Sequence, residues 1–269
     1  MKPYPAPVEG LRVEMAPPLL RITLDRSHRR NSLTDDIVLN LIDNLEAASA
    51  DEHIRAVLLD SVGENFCSGF DLAGRAGDGP RPRPGSIARR MPYLVNRLIP
   101  VMLEVQVPIV GAVRGWSVGL GFSLVLACDF AVVAEDARLR APFTAMGITP
   151  DSGMSWLLPR LAGVARAKQM LMLGEELSGA TAAEWGLVHR SVPEDQVTAE
   201  AELLADRLAA SATVAVGLAK TLIHRGSGRS LAAHMEEEAF ALELSARSSD
   251  FRAWSQAFKE RRPPEFTGH

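Results

Sequence analysis

Three stretches of this chain set chemistry-bearing residues at useful spacings. The first is FCSGFDL, Phe66 to Leu72. The second is RGWSVGLGFSLVLACD, Arg114 to Asp129, whose glycines at 115, 119 and 121 open an apolar helical run. A helix start offers backbone N–H groups with no acceptor inside the helix, and the positive end of its dipole. Glycines there let a ligand approach the backbone closely. Such a turn can hold an oxyanion. It can equally serve only to pack strand against helix. The third stretch is GITPDSG, Gly147 to Gly153, followed by MSWLLPRLAG. Asp151 precedes a helical run, which it can cap. Beside an apolar pocket, the same carboxylate can act as a general base.

The second stretch also fits a different chemistry. Gly115-Trp116-Ser117-Val118-Gly119 matches G-x-S-x-G, the nucleophile elbow of α/β-hydrolases, and His189, His224 and His234 lie downstream. Three fixed positions in five make a weak signature, and no HGGG-type motif precedes Ser117. The glycines do not follow G-x-G-x-x-G, and no Lys-Ser/Thr pair completes a P-loop.

Strands and helices must hold these residues. LLRITLD (Leu19 to Asp25), AVLLDS (Ala56 to Ser61), PIVGAV (Pro108 to Val113) and DFAVVA (Asp129 to Ala134) read as strands. Thr34 is placed to cap a helix carrying Asp35 and Asp36 in its first turn, with Ile37, Leu41, Ile42 and Leu45 at helical spacing. Short apolar strands alternating with helices predict an α/β fold with buried strands. The Gly/Pro/Arg-rich segment Gly74 to Gly85 reads as a mobile or functional loop within the domain rather than a linker. After Val192 the pattern is helical: Glu200 to Ala210, Val214 to His224, Leu231 to Ser245 and Phe251 to Glu260. The chain thus divides into an α/β body over 1–200 and a helical region over 201–269.

Composition narrows the class. The 269 residues are 47% hydrophobic and carry a net charge of -4. A sizeable core is affordable, and nothing resembles a nucleic-acid footprint. No apolar run approaches a membrane span, and the N-terminal MKPYPAPVEG lacks the apolar stretch of a signal peptide. Cys67 and Cys128 have no CxxC or CxxH neighbour, so reduced thiols in a soluble, cytoplasmic protein are expected.

Taken together, LDRSHRRNSLT, FCSGFDL, PIVGAVRGWSVGLG, LACDFAVVAEDARLRAP, GITPDSG, AAEWGLVHRSV and AFKERRPPEFTG, in this order, resemble the enoyl-CoA hydratase/isomerase (crotonase) superfamily over nearly the whole chain. The resemblance implies a ββα spiral followed by a helical C-terminal trimerisation part, as a homotrimer or hexamer. It implies an acyl-CoA substrate with no further cofactor, and a thioester enolate held by two backbone N–H groups, which fall on Phe70 and Leu120. It places CoA along Ser68, Asp71 and Leu72, with His28, Arg29 and Arg30 nearby. Phe258 and Lys259 match a segment that reaches a neighbouring subunit's CoA.

The departures from the family pattern bear on the reaction. Hydratases of the family carry two glutamates that activate water. Here the matching positions hold Ser123 and Phe143, and a serine hydroxyl titrates too far from neutrality to replace them. The PDSG pattern is similar to the isomerase branch, including isomerases of phenylacetyl-CoA degradation, in which an aspartate moves a proton along the substrate. A related aspartate is the nucleophile of aryl-CoA dehalogenases. That reaction also uses a histidine, and Ser86 to Pro108 contains none. Double-bond isomerisation through Asp151 is therefore expected. The alternatives are a weak hydratase with a relocated base and a non-catalytic acyl-CoA-binding protein. The acyl pocket is expected to include Phe143, Met146, Trp156 and residues between Arg75 and Arg97.

Overall fold

Strands β1 (Leu11–Ala16) and β2 (Leu19–Leu24) form an antiparallel ribbon with Leu11 opposite Leu24. The computed structural model describes residues 2–72, 83–226 and 228–269. The expected loop from Gly74 to Gly85 lies mostly outside them. Helix α1 (Asp35–Ala50) begins where the sequence predicts: the Thr34 hydroxyl accepts the Ile37 N–H at 3.3 Å. Its Ile37, Val38, Leu41, Ile42 and Leu45 face the core, each contributing about 1.5–3 kcal/mol over exposure. The chain then enters β3 (Ala56–Ser61), parallel to β2.

Helices α2 (Ser86–Arg90) and α3 (Val95–Glu104) lead into β4 (Ile109–Val113). From there the main sheet and a smaller one alternate. Strand β5 (Trp116–Val118) and helix α4 (Leu120–Ala127) precede β6 (Phe130–Ala134). Then follow β7 (Arg138–Arg140), α5 (Met154–Leu173), β8 (Glu176–Ser178), α6 (Gly179–Glu184) and β9 (Arg190–Val192). Among the described residues, the main sheet runs β1-β2-β3-β4-β6-β9 and the smaller one β5-β7-β8. Every pair from β2 to β9 in the main sheet is parallel. Each parallel step needs a crossover, and the crossovers here shed β5, β7 and β8 into the second sheet. Strand β3 is buried along its whole length, as a parallel strand covered on both faces must be.

The remaining helices are α7 (Val197–Ala209), α8 (Thr213–Gly226), α9 (Leu231–Ser245) and α10 (Ser249–Glu260). Helix α7 packs on β3, β4 and β6 through buried Val197, Ala201, Leu204 and Ala205. Lys220 pins α8 to the sheet. Its ammonium reaches Asp129 Oδ2 at 2.7 Å and the Val107 carbonyl at 3.2 Å, and Asp129 Oδ2 also accepts the Ile109 N–H at 2.8 Å. Burial pulls the Lys220 ammonium below the ordinary lysine range, and Asp129 opposes that shift. Helix α9 buries no residue of its own. On α10, Phe251, Trp254 and Phe258 stack in an exposed ladder with successive centroids 5.6 Å apart. No helix among the described residues is long and apolar enough to cross a membrane.

Candidate active site

The two glycine turns predicted from sequence lie against each other. Cys67 N–H donates to the Trp116 carbonyl at 3.0 Å, and Val118 N–H donates to the Cys67 carbonyl at 2.9 Å. The contact is too close for side chains. A Cβ on Gly69 would sit 2.6 Å from the Val118 carbonyl oxygen, and one on Gly121 would sit 2.2 Å from the Cys67 carbonyl oxygen. Gly119, at φ 53° and ψ -120°, turns the chain into α4 in a backbone region that side chains disfavour. Leu120 is the first residue of α4, so its N–H has no acceptor within the helix. On the facing loop, Leu33 N–H donates to the Gly69 carbonyl and Asp71 N–H to the Leu33 carbonyl, both at 2.8 Å. These bonds flank Phe70 and turn its own N–H away from Leu33.

Arg26 secures that loop, a role its position in the LDRSHRRNSLT motif did not disclose. Its guanidinium reaches Asp71 Oδ2 at 2.6 Å, Ser32 Oγ at 3.0 Å and the Ser32 carbonyl at 3.2 Å. Buried Asn31 ties the neighbouring segments together by donating to the Val62 and Asn65 carbonyls at 2.9 and 2.7 Å.

Asp151 does not cap a helix. Helix α5 starts at Met154, and its N-cap is Gly153, with no side-chain capping bond. Ser152 and Gly153 both have positive φ, 53° and 74°, and Met154 N–H donates to the Asp151 carbonyl at 3.0 Å. These are the marks of a type I′ turn. The Ser152 hydroxyl donates to Asp151 Oδ1 at 2.6 Å.

Both turns and Asp151 open onto one apolar cavity of about 520 Å³. Phe70, Leu120, Ser68, Leu72, Phe143 and Asp151 all line it. Met146 lines it too, as do Ile87, Arg90, Met91, Leu94 and Val95 from the expected 75–97 stretch; residues 75–82 lie outside the described ones. Among the described residues, Asp151 supplies the only carboxylate on the wall.

Other expected site residues fall elsewhere. Asp71 is not on the wall, and its carboxylate is engaged by Arg26. His28, Arg29 and Arg30 form an exposed turn beside the rim, where Ser68 N–H donates to the Arg30 carbonyl at 2.9 Å. Phe258 and Lys259 lie on the exposed face of α10, off this cavity. Trp156 lines a second cavity of about 410 Å³ with Ile99 and Leu103 of α3, His224 and Arg225, and not the first, because it lies on α5 beyond the 151–153 turn. Ser123 is fully buried, its hydroxyl has no partner among the described residues, and it is absent from the wall.

The hydrolase reading fails on geometry. Ser117 is fully buried in β5 without a hydrogen-bond partner among the described residues. The histidines are committed elsewhere: His189 packs on Phe130, His224 lies 3.8 Å from Asp129 and His234 lies 3.7 Å from Glu238. Both cysteines are unpaired. Burial pushes the Cys67 thiol up to about 12, against a lesser opposing effect of the Gly69 N–H, and burial also raises that of Cys128.

The parallel sheet with its shed strands, the interlocked glycine turns and the apolar cavity beneath them define a crotonase-type α/β spiral. Residues 15–269 match the family model described as enoyl-CoA hydratase/isomerase. The 1,2-epoxyphenylacetyl-CoA isomerase of Escherichia coli K12 is 35% identical over 252 residues, covering 93% of this chain and 95% of that protein. Human enoyl-CoA hydratase domain-containing protein 2, mitochondrial, is 31% identical over 255 residues, covering 93% of this chain and 86% of that one. The crystal structure of an enoyl-CoA hydratase from Bacillus anthracis matches with a TM-score of 0.89 at 32% identity, over 97% of this chain and 100% of that chain. The chain belongs to the enoyl-CoA hydratase/isomerase family and is an enzyme of the crotonase type.

Proposed function

We propose that this enzyme shifts a carbon–carbon double bond within an acyl-CoA, with Asp151 as the base that carries the proton. One observation carries the reading: among the described residues, a single carboxylate shares an apolar cavity wall with Phe70 and Leu120, and it is Asp151. Asp151 takes a proton from C2 of a 3-enoyl thioester. The C2–H electron pair moves into a conjugated dienolate whose charge collects on the thioester oxygen. The Phe70 and Leu120 N–H groups hold that oxygen, at about 3–4 kcal/mol per donor. Asp151 then returns the proton at C4, leaving a 2-enoyl thioester. One base serves both carbons when they lie on the same face of the dienolate.

CoA is substrate here and not a resident cofactor. Ser68 and Leu72, with His28, Arg29 and Arg30 at the rim, are the proposed contacts of its pantetheine and phosphates. Met91, Leu94, Val95, Met146 and Ile148 give the acyl chain an apolar seat. The Escherichia coli relative's name, an isomerase of a phenylacetyl-CoA derivative, supports both isomerisation and an aromatic acyl group. The hydratase names of the other two proteins favour a second reading, slow hydration with Asp151 as base. The exposed Phe251–Trp254–Phe258 ladder supports assembly into trimers or hexamers, with Phe258 and Lys259 offered to a neighbour's CoA.

A turnover screen with aliphatic and aromatic 2- and 3-enoyl-CoAs, followed by mass and product analysis, separates the two reactions. Asp151→Asn is expected to lower isomerisation about 10²–10⁴-fold while leaving acyl-CoA affinity unchanged. A fully active Asp151→Asn enzyme overturns the assignment. Tight acyl-CoA binding without turnover in the wild type would make the protein a binder.

A further inference from the structure

Ser152 stands out in its turn. Type I′ turns favour Asn, Asp and Gly at their central positions, because both need positive φ. Here a serine takes the first of them at φ 53° and is 2% exposed. A non-glycine residue kept in a disfavoured backbone region beside a candidate site points to a use for its side chain. Among the described residues, the Ser152 hydroxyl makes one side-chain hydrogen bond, at 2.6 Å to Asp151 Oδ1. It lines the same cavity as Asp151.

We infer that Ser152 is a positioning residue that fixes the Asp151 carboxylate, so that Oδ2 alone exchanges a proton with substrate and keeps it between the two half-reactions. The inference rests on the reading of Asp151 as base. With Oδ1 held by the hydroxyl, the carboxylate cannot swing, and Oδ2 faces C2 and C4 in turn. When the C2–H bond breaks, the proton forms a bond to Oδ2, and the electron pair stays in the dienolate. Oδ1 goes on accepting the Ser152 hydroxyl. The new O–H group therefore keeps its aim at the substrate, and the same proton forms the C4–H bond before solvent can exchange it.

The test runs the isomerisation in D₂O, with mass detection of the product, for the wild type, Ser152→Ala, Ser152→Gly and Asp151→Asn. The glycine variant removes the hydroxyl and also relieves the backbone, so it folds even where alanine does not. Both Ser152 variants are expected to lose kcat by about tenfold or more, with KM within roughly twofold, because the base is still present but loosely aimed. Both are also expected to raise deuterium incorporation above the low level of the wild type. An active Asp151→Asn enzyme overturns the parent reading. With Asp151→Asn inactive, wild-type kcat and proton retention in both Ser152 variants overturn the present inference alone. A fall in kcat without added deuterium in either variant also overturns it, since that is what mere distortion of the turn produces.

Discussion

Gly121→Ala tests whether the two turns work as one unit. Gly121 lies in the first turn of α4 and does not carry a left-handed φ. By helix propensity alone, alanine there would stabilise by roughly 0.5–1 kcal/mol. The surroundings reverse that sign. The added Cβ would lie 2.2 Å from the Cys67 carbonyl oxygen and 2.8 Å from the Cys67 Cβ. Carbon and oxygen rest comfortably at about 3.3 Å, so Cys67 must retreat by about 1 Å. It cannot retreat alone, because its carbonyl holds Val118 N–H at 2.9 Å and its N–H holds the Trp116 carbonyl at 3.0 Å. Phe70 follows three residues later, and Leu120 precedes Gly121 directly. A misplacement of about 1 Å between reacting groups costs about 10²-fold in rate. Overpacking adds about 1–3 kcal/mol of destabilisation, which exceeds the helix gain. We expect kcat to fall about 100-fold and the urea midpoint to drop. Gly228→Ala, where nothing among the described residues lies within 4 Å, serves as the control. Wild-type kcat and midpoint in Gly121→Ala would refute the interlock. A lower midpoint with unchanged kcat would refute the turns as the source of the oxyanion donors.

Two further predictions concern the scaffold. Lys220→Met leaves the Asp129 carboxylate without its ammonium where side-chain exposures are only 4% and 11%; urea denaturation should show a loss of about 3–5 kcal/mol. Cys67 governs part of the alkaline stability. Its folded thiol titrates near 12 and an unfolded one near 9.0, so the folded state keeps a proton that the unfolded state sheds. The contribution is whole below pH 9 and is lost as pH climbs toward 12. Cys67→Ala should flatten the fall of the urea midpoint between pH 8.5 and 11, and an unchanged slope would refute the assignment.

Physical reasons separate what the sequence disclosed from what it hid. β3, β4 and β6 were legible because a parallel strand covered on both faces must be a continuous apolar run. β1 was not, since Arg12 and Glu14 interrupt it at an exposed edge. β5, β7, β8 and β9 are three residues each, too short for any period to register. Pairings such as Ser117 with Leu139 arise only once the spiral closes. In the candidate site, the order of the motifs singled out Phe70, Leu120 and Asp151, which the fold brings to one cavity wall. The capping alternative for Asp151 stayed open because serine does not announce a left-handed turn as glycine or asparagine does. Arg26 went unrecognised because its partner Asp71 lies 45 residues away.

Ser123 and Phe143 stand where the family resemblance puts the hydratase glutamates, and they differ in what they do to the cavity. Ser123 is lost to the core and offers the wall nothing. Phe143 reaches the wall, and its ring edge comes within 4.0 Å of where a Gly119 Cβ would sit. It thus lays apolar surface against the turn that leads into Leu120. Apolar cover lowers the local dielectric, which strengthens hydrogen bonds to a developing oxyanion. Among the described residues, the same wall leaves a water nucleophile no carboxylate to hold it except Asp151. Hydration asks for water to be activated and for carbon to be protonated in one cycle. Double-bond migration asks one base to act twice. An apolar wall with one carboxylate among the described residues thus fits the demands of the proposed migration better than those of hydration, and under that proposal the serine that aims the carboxylate becomes more valuable as the wall becomes drier.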